Sequence, residues 1–342
     1  MTSPRVYVIH ENPEWFPPLA AAFEAEGVPV QEILLTEGQI DLGAEPEPGV
    51  YWSRMSASSH TRGHEHSKEY TRAVLGWLER AGRQVVGGSH VLELEVSKVA
   101  QHGLLRNAGF DVPRTTAVFG TSTLKDAAAT FTDGQDVPFI TKHNQGGKGL
   151  GVRRFDSLAE FDAYVDSPEF EEPVDGITLL QEYLTAREPF ITRVEFVGGE
   201  FVYAVRVDTS AGSFELCPAD ACAVPSGENG PQVIAGAVCD VPGTETAGAP
   251  PAFSVRTEVT AEHPLVQQLR TFLADQRITI AGVEFMETTD GRTVVYDINT
   301  NTNYNPAVEE TAPASGPRSI ARYLGGLLAD EYATTAASVA TA

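Results

Sequence analysis

Residues 281–299 constrain the fold most, because they join two apolar runs through a tight turn. Asp290-Gly291 between these runs is the strongest short signal for an antiparallel β-hairpin. Side chains alternate faces along a strand, so Asp297 and Asn299 point the same way, and Glu284 on the paired strand can point with them. Three such oxygen ligands suit a Mg²⁺ ion that already carries the phosphates of a nucleotide. The polar, solvent-facing side of an ordinary hairpin would contain similar residues.

The composition is that of a soluble globular protein. The 342 residues are 42% apolar and 21% charged, with no run approaching the roughly 20 apolar residues that span a bilayer. The net charge of -23 disfavours nucleic acid and membrane partners, which need clustered Lys and Arg. The chain starts without a signal-peptide pattern, and its three cysteines do not indicate a disulfide framework. We therefore expect a cytoplasmic protein.

The length favours two or three lobes with a cleft between them, since one hydrophobic core rarely grows past roughly 250–300 residues. Residues 1–94 alternate short apolar runs with helical patterns and predict an N-terminal βαβ lobe. Residues 95–184 predict a small α+β lobe, and residues 185–330 predict a larger one. Within the larger lobe, residues 217–252 are rich in Pro, Gly, Ala and Ser and predict a long loop of the kind that often forms a lid. We expect residues 331–342 to be a disordered tail.

A glycine-rich turn follows the apolar strand that ends in Lys142. Glycines allow backbone N–H groups to wrap around an anion, and the flanking lysines add positive charge, so this loop could cover phosphates. A flexible hairpin tip explains the same residues equally well, and the spacing is not that of a Walker A motif. The loop residues considered as ligands of a nucleotide are Gly146, Gly147, Lys148 and Gly149.

Residues 190–207 predict a second hairpin, which turns at Gly198-Gly199. Arg193 and Arg206 lie on its two arms. A guanidinium can pair with phosphate oxygens through two hydrogen bonds, so both arginines are candidates for phosphate contact. A structural salt bridge within the sheet is the competing interpretation.

The loop between residues 53 and 68 concentrates histidines and cations in an otherwise acidic protein. It follows a predicted strand, and loops at the carboxyl ends of parallel strands are where α/β sheets bind ligands. Recognition of an anionic substrate is our main hypothesis; a zinc site and a polar surface loop are the alternatives. The candidate substrate residues in this loop are Arg54, His60, Arg62 and His64, and the zinc hypothesis would add His66.

Six motifs, taken in order, resemble the ATP-grasp superfamily of carboxylate-amine ligases. They are a helical lysine, a lysine with a Gly-rich loop, a Gln-Glu hinge, an arginine hairpin, an acid, and an acid-x-Asn strand. D-alanyl-D-alanine ligases and ribosomal-protein glutamate ligases have similar motifs, and the likeness spans roughly residues 95–305. The resemblance implies an ATP-grasp fold, α/β and α+β, in which an N-terminal pre-ATP-grasp lobe precedes two α+β lobes that grip ATP.

The resemblance also implies roles for individual residues. Glu284, Asp297 and Asn299 would bind Mg²⁺ or Mn²⁺, although the acids occur as Glu then Asp and Gly282 stands where an arginine often precedes the first acid. Arg193, Arg206 and Lys148 would be catalytic. Lys98, in a helix predicted to begin near Glu95, would be the first nucleotide lysine and Lys142 the second. The adenine hinge would comprise Gln181, Glu182, Tyr183 and Leu184, with Glu188 on the ribose. Asn301 and Asn303 lie in the run after Asn299 that replaces the Pro-Gly of many ligases, so they are candidate substrate residues and the acceptor side of the site is expected to differ from theirs.

The resemblance thus implies an enzyme that uses ATP and Mg²⁺ to join a small-molecule carboxylate to an amine, such as an amino acid or peptide, through an acyl phosphate. ADP and phosphate would be released. A kinase with the same fold and a non-catalytic nucleotide-binding module are the alternative functions. Many relatives are dimers or tetramers, so a homo-oligomer is expected as well.

Overall fold

The N-terminal lobe is a four-stranded parallel sheet in the order β2-β1-β3-β4. We describe a computed structural model over residues 3–147, 149, 151–210 and 251–339, with side chains as far as residue 332. The strands of this sheet are β1 (Arg5–His10), β2 (Val30–Leu34), β3 (Gly49–Ser53) and β4 (Gln84–Val86). The predicted βαβ lobe is confirmed.

Helices cover both faces of this parallel sheet, as its apolar strands require. The lobe contains α1 (Pro17–Ala25), α2 (Ser67–Arg80) and α3 (Ser89–Glu95). On one face, α1 packs with α9 (Gly316–Val339) around Val6, Val8 and Phe23. On the other face, α2 packs around Tyr7 and Ile9. The C-terminal helix α9 therefore lies against the first lobe.

The small lobe is an antiparallel sheet in the order β5-β8-β6-β7. Its elements are β5 (Thr115–Phe119), α5 (Leu124–Phe131), β6 (Phe139–His143), β7 (Arg153–Phe155), α6 (Leu158–Val165) and β8 (Ile177–Glu182). The helices α5 and α6 pack on the sheet around Phe139, Phe155 and Phe161. This sheet with its two helices is a small α+β lobe, as predicted, and the Gly-rich turn connects β6 to β7.

The large lobe is a five-stranded antiparallel sheet in the order β11-β10-β9-β12-β13. Its strands are β9 (Phe190–Val197), β10 (Glu200–Asp208), β11 (Phe253–Val255), β12 (Ile280–Glu287) and β13 (Thr293–Asn299). Its helices are α4 (Lys98–Asn107), α7 (Pro264–Asp275) and α8 (Pro306–Thr311). Residues of α4 and α7 share one buried cluster with β9, β12 and β13.

Both predicted hairpins are confirmed. Gly198 and Gly199 have φ angles of 64° and 78°, and Gly291 has a φ angle of 88°. Residues with a Cβ rarely adopt these left-handed angles, so glycine at these positions permits the tight turns that join β9 to β10 and β12 to β13.

Two sequence predictions are corrected. The helix expected to begin near Glu95 begins at Lys98 as α4, because Ser97 caps it through a hydrogen bond from the Ala100 N–H to its hydroxyl, and Glu95 instead ends the separate helix α3. The disordered tail expected over residues 331–342 continues α9 to Val339, because this Ala-rich segment contains no Gly or Pro that would end a helix.

The long loop predicted at residues 217–252 lies, up to residue 250, outside the described residues. None of the helices described is long and apolar enough to cross a membrane.

Candidate active site

A cavity of about 310 Å³ opens where the three lobes meet. Its walls come from β6, β8, β9, β12 and β13, from α4, and from the loops that follow β3 and β13. Pockets of this size are typical of small-molecule sites. One end of the cavity is charged and the other is mainly apolar.

The charged end contains the three predicted metal ligands. Glu284 on β12 and Asp297 on β13 are directly opposite each other, so their side chains lie on one face of the sheet. The Asn299 amide donates to Glu284 at 3.3 Å. A β-bulge places Tyr296 beside Asp297, and both residues line the cavity. The structure therefore brings Glu284, Asp297 and Asn299 together.

Cationic side chains contact both carboxylates. The Nζ atom of Lys98 lies 2.5 Å from Asp297, and Nη1 of Arg193 lies 3.4 Å from Glu284. Arg193 also contacts Glu195 at 2.6 Å. A Cβ at Gly282 would lie 2.5 Å from Nε of Arg193, so the missing side chain at position 282 makes room for this guanidinium. Strand β9 thus supplies a guanidinium where the sequence of β12 has none.

Burial and charge together shift the pKa values of these groups. Burial lowers the pKa of Lys142 to about 7, and the neighbouring charge of Lys98 acts in the same direction. Burial raises the pKa of Glu284, as does the charge of Asp297. Burial alone would also raise the pKa of Asp297, but Lys98 and Lys142 bring it below the ordinary value. Lys142 is consequently a lysine that titrates near neutral pH.

This donor set fits a magnesium ion that binds together with phosphates. Two carboxylates and one amide lie on the same side of the hairpin, and each carboxylate already contacts a cationic nitrogen. Magnesium prefers one or two carboxylates, with phosphate oxygens and water completing its shell. The side chains leave room for such a shell, because they line an open cavity.

Buried polar contacts, which the sequence did not reveal, hold α4 against β13. Gln101 donates to the Ile298 carbonyl at 2.9 Å and accepts from the Ile298 N–H at 3.1 Å. His102 contacts the Tyr296 carbonyl at 3.1 Å. These bonds fix Lys98, at the start of α4, relative to Asp297. No local pattern marks Gln101, because its partners are almost two hundred residues away.

The Gly-rich loop borders the same cavity through Gly146, Gly147 and Gly149, whereas Lys148 lies outside the described residues. Asn144, at the start of the loop, accepts from the Val99 N–H at 3.0 Å. Lys68, a buried residue of α2, donates to Gln145 at 2.5 Å. The loop is therefore hydrogen-bonded to both α4 and the N-terminal lobe.

The predicted hinge lies at the apolar end. Strand pairing of β8 ends at Glu182, and Tyr183 and Leu184 continue along the cavity wall. Glu182 pairs with Arg292 at 3.0 Å. The surrounding apolar wall consists of Ile140, Val152, Ala186, Ile191, Met286 and Ile298, and Gln181 lies beside it. Glu188, predicted at the ribose, is exposed and borders a separate shallow pocket.

Arg206 does not lie with Arg193. A bulge at Val202 shifts the register of the hairpin, so that Arg206 pairs with Thr192 and Arg193 pairs with Val205. A one-residue shift moves every following side chain to the other face of the sheet. Arg206 consequently points away from the cavity and stacks over Phe190 at 4.5 Å. The prediction that both arginines share one site is wrong in this respect.

The histidine-rich loop folds into the wall of the N-terminal lobe. Arg62 and His64 both pair with Glu11, at 2.6 and 3.0 Å. His60 lies 3.5 Å from Lys68, and His66 is exposed at the start of α2. Among the described residues, no group of three His, Cys, Asp or Glu side chains could hold a metal ion. The zinc hypothesis is therefore wrong, because the histidines face different partners.

Arg54 is fully buried below the loop that follows β13. It donates to the Thr302 carbonyl at 2.9 Å and to the Asn303 side-chain oxygen at 2.8 Å. Asn301 and Asn303 line the cavity above it. Of the predicted substrate residues, the two asparagines therefore reach the cavity directly, whereas Arg54 acts through one of them. Trp15 and Glu95 also line this end, although no sequence motif marks either residue.

Comparison with solved structures shows the same architecture in proteins of very different sequence. D-cycloserine synthetase DcsG matches with a TM-score of 0.63 and 15% identity, over 94% of this chain and 99% of that protein. The RimK domain protein ATP-grasp from Sphaerobacter thermophilus matches at 0.60 and 16%, over 93% and 98%. The ATP-grasp ligase PsnB, solved with a minimal precursor, Mg and ADP, matches at 0.59 and 15%, over 95% and 98%.

No family model and no curated protein sequence matches this chain. At identities near 15%, the structural likeness shows the fold rather than the reaction. It extends over nearly the whole length of each chain, including the N-terminal sheet and both antiparallel sheets. The chain has the ATP-grasp fold.

Proposed function

We propose that this protein is an ATP-dependent ligase that joins a carboxylate to an amine through an acyl phosphate. The observation that carries the proposal is the convergence of Glu284, Asp297 and Asn299 with three cations at one end of a single cavity. Lys98 and Arg193 contact the two acids, and Lys142 is buried beside them. Acids that could bind a metal ion and cations that could bind phosphates thus lie side by side at the same end of the cavity.

ATP would lie in the cavity in one direction. The apolar end, bordered by the hinge and by Ile140, Ile191 and Met286, suits a purine. Tyr183 and Leu184 leave the sheet there and can present backbone groups to the purine edge. The charged end suits the triphosphate, and the Gly-rich loop borders it from above. Phosphoryl transfer needs positioning and charge neutralisation more than a protein nucleophile.

Glu284, Asp297 and Asn299 would hold magnesium, which neutralises charge on the phosphate oxygens when it is bound. Lys142 and Arg193 would contact the same oxygens from the protein side. The substrate carboxylate oxygen would attack the γ-phosphorus as the bond to ADP breaks. The amine nitrogen would then attack the acyl carbon, phosphate would leave, and the nitrogen would lose its proton to solvent.

The names of the structural neighbours favour small amino-acid-like or peptide substrates. One is a D-cycloserine synthetase, and PsnB was solved with a precursor. The loop after β13 and the N-terminal lobe form the remaining wall of the cavity, where both substrates would bind. Manganese could replace magnesium at this site. We also propose that the protein can form a homodimer or homotetramer.

The test combines ADP release with trapping of the activated carboxylate. The purified chain is incubated with ATP, magnesium, hydroxylamine and a panel of amino acids and peptides. We expect ADP release that depends on a particular carboxylate, together with its hydroxamate by mass spectrometry. Asp297→Ala should abolish both signals. A phosphorylated alcohol without hydroxamate would replace the proposal with a kinase, and nucleotide binding without turnover across the panel would favour a non-catalytic module.

A further inference from the structure

Glu95 is a half-buried carboxylate on the cavity wall, at the end of α3. One of its oxygens accepts from the Thr300 N–H at 2.8 Å and from the Thr300 hydroxyl at 2.7 Å. The other accepts from the Ala57 N–H at the longer distance of 3.4 Å. All of these donors are neutral. Burial raises the pKa of Glu95, while the Thr300 hydrogen bonds lower it; Arg54 and Lys98 act on this carboxylate only from a distance.

The other acids that line the cavity all have cationic partners. Glu182 pairs with Arg292, Glu284 with Arg193, and Asp297 with Lys98. Across the part of the chain that the structure describes, no Lys, Arg or His nitrogen lies within 4.0 Å of Glu95. A half-buried carboxylate that lines a ligand cavity and contacts no counter-ion is suited to a cationic group of a bound ligand.

Two asparagines in the loop after Thr300, the partner of Glu95, provide further hydrogen-bonding groups at this end of the cavity. The side-chain oxygen of Asn301 is buried and has no hydrogen-bond partner in the described structure. The Asn303 oxygen accepts from Arg54, and because a guanidinium can only donate, this bond leaves the Asn303 NH₂ group for a ligand. This end of the cavity therefore presents a carboxylate, a free acceptor and a free donor.

We propose that Glu95 and Asn301 bind the primary ammonium group of the acceptor substrate, while the Asn303 NH₂ group binds a carbonyl or carboxylate oxygen next to it. The acceptor would accordingly be an amino acid or the amino end of a peptide. An ammonium group has three N–H donors and no acceptor, which suits two acceptor groups at its site. Because an ammonium has no lone pair, it would release one proton to solvent before its nitrogen attacks the acyl carbon, and the second proton after the attack. This inference rests on the proposed function, because it assigns the amine side of that reaction.

The test compares a charged acceptor with an uncharged one. Hydroxylamine is uncharged at neutral pH and reports activation of the carboxylate alone. A panel of amino acid amides then competes with it, since each amide carries an ammonium group next to a carbonyl. In Glu95→Gln we expect hydroxamate formation within about threefold of the wild type. Competition by the amides should weaken roughly 10- to 100-fold, which is the usual effect of losing a charge-assisted hydrogen bond. The N-acetylated amides, which lack the ammonium group, should behave alike in both proteins.

Thr300→Val is the matched control, because it removes the hydroxyl hydrogen bond to Glu95 but keeps the carboxylate. Competition by the amides should persist in this variant, whereas a purely structural role of Glu95 would weaken it there too. The inference is overturned if no amide competes in the wild type, if Glu95→Gln leaves competition unchanged, or if its only effect is a higher magnesium requirement. Absence of hydroxamate from every carboxylate in the wild type would instead refute the proposed function.

Discussion

Lys142 should take up a proton when a nucleotide binds, and the amount should depend on pH in a defined direction. Its pKa of about 7 reflects burial and the nearby charge of Lys98. A polyphosphate in the cavity would favour the charged ammonium and raise this pKa towards that of an ordinary lysine. Between the two pKa values, the bound state carries one more proton than the free state.

The magnitude follows from the free-state pKa. At pH 8, one unit above it, only about a tenth of the Lys142 side chains are protonated, so binding should take up roughly 0.9 proton. At pH 6 nearly all are already protonated, and the uptake should fall to roughly 0.1 proton. The uptake therefore increases with pH over this range.

Calorimetric titration of a non-hydrolysable ATP analogue with magnesium measures this uptake, when repeated in buffers of different ionisation enthalpy. Lys142→Arg is the matched control, because arginine keeps its charge throughout this pH range and has no proton to gain. Glu284 is present in both proteins, so the difference between them reports on Lys142 together with its electrostatic interaction with Glu284. Equal proton uptake by both proteins at pH 8, or an uptake that does not change between pH 6 and pH 8, would refute the assignment.

Four further outcomes are expected. Arg193→Ala should lower kcat at least roughly 100-fold. Arg206→Ala should change kcat less than about fivefold, because Arg206 lies on the opposite face of the sheet. Steady-state kinetics of ADP release compares the two variants. Gly282→Ala should reduce kcat roughly tenfold or more and also lower stability, because its Cβ would displace the Arg193 guanidinium from Glu195 and Glu284; unchanged kcat would contradict this. Gln101→Leu should lower the unfolding free energy by about 2–4 kcal/mol in denaturant titrations, since buried backbone groups lose their partners. The free energy of unfolding of the unliganded wild type should rise relative to that of Lys142→Met as the pH increases from about 7 towards 10. The reason is that, over this range, the unfolded state still binds the Lys142 proton whereas the folded state has lost it. Parallel pH profiles of the two proteins would argue against this assignment.

The sequence predicted the parts of the site that depend on local patterns. Glu284, Asp297 and Asn299 were placed together because alternation along two strands and a recognisable turn suffice to align them. The same reasoning misplaced Arg206, since the bulge at Val202 shifts the register by one residue and no turn signal marks it. Had the hairpin paired without a bulge, Arg206 would have lain opposite Ile191, on the face of the cavity.

Residues that act through distant contacts could not be found in this way. Gln101 matters because of Ile298, and Glu95 because of Thr300. In the sequence each is one polar residue in a helical segment. Gly282 was noted only as a missing arginine, whereas in the structure its lack of a side chain admits Arg193 from the next strand. Such relations are set by the packing of lobes that are far apart along the chain.

The pairing of acids with cations has a consequence for how ligands would enter the charged end. Lys98 contacts Asp297, and Arg193 contacts Glu284, so neither acid lacks a cationic partner in the unliganded protein. If a divalent cation bound Asp297 in the absence of phosphates, Lys98 would lose its counter-ion inside the protein. If phosphates bound Lys98 in the absence of the cation, Asp297 would lose its contact with Lys98 and remain beside Glu284. Each loss costs several kcal/mol in a buried site. We therefore expect the metal and the nucleotide to bind together, with Lys98 exchanging Asp297 for a phosphate oxygen in the same event.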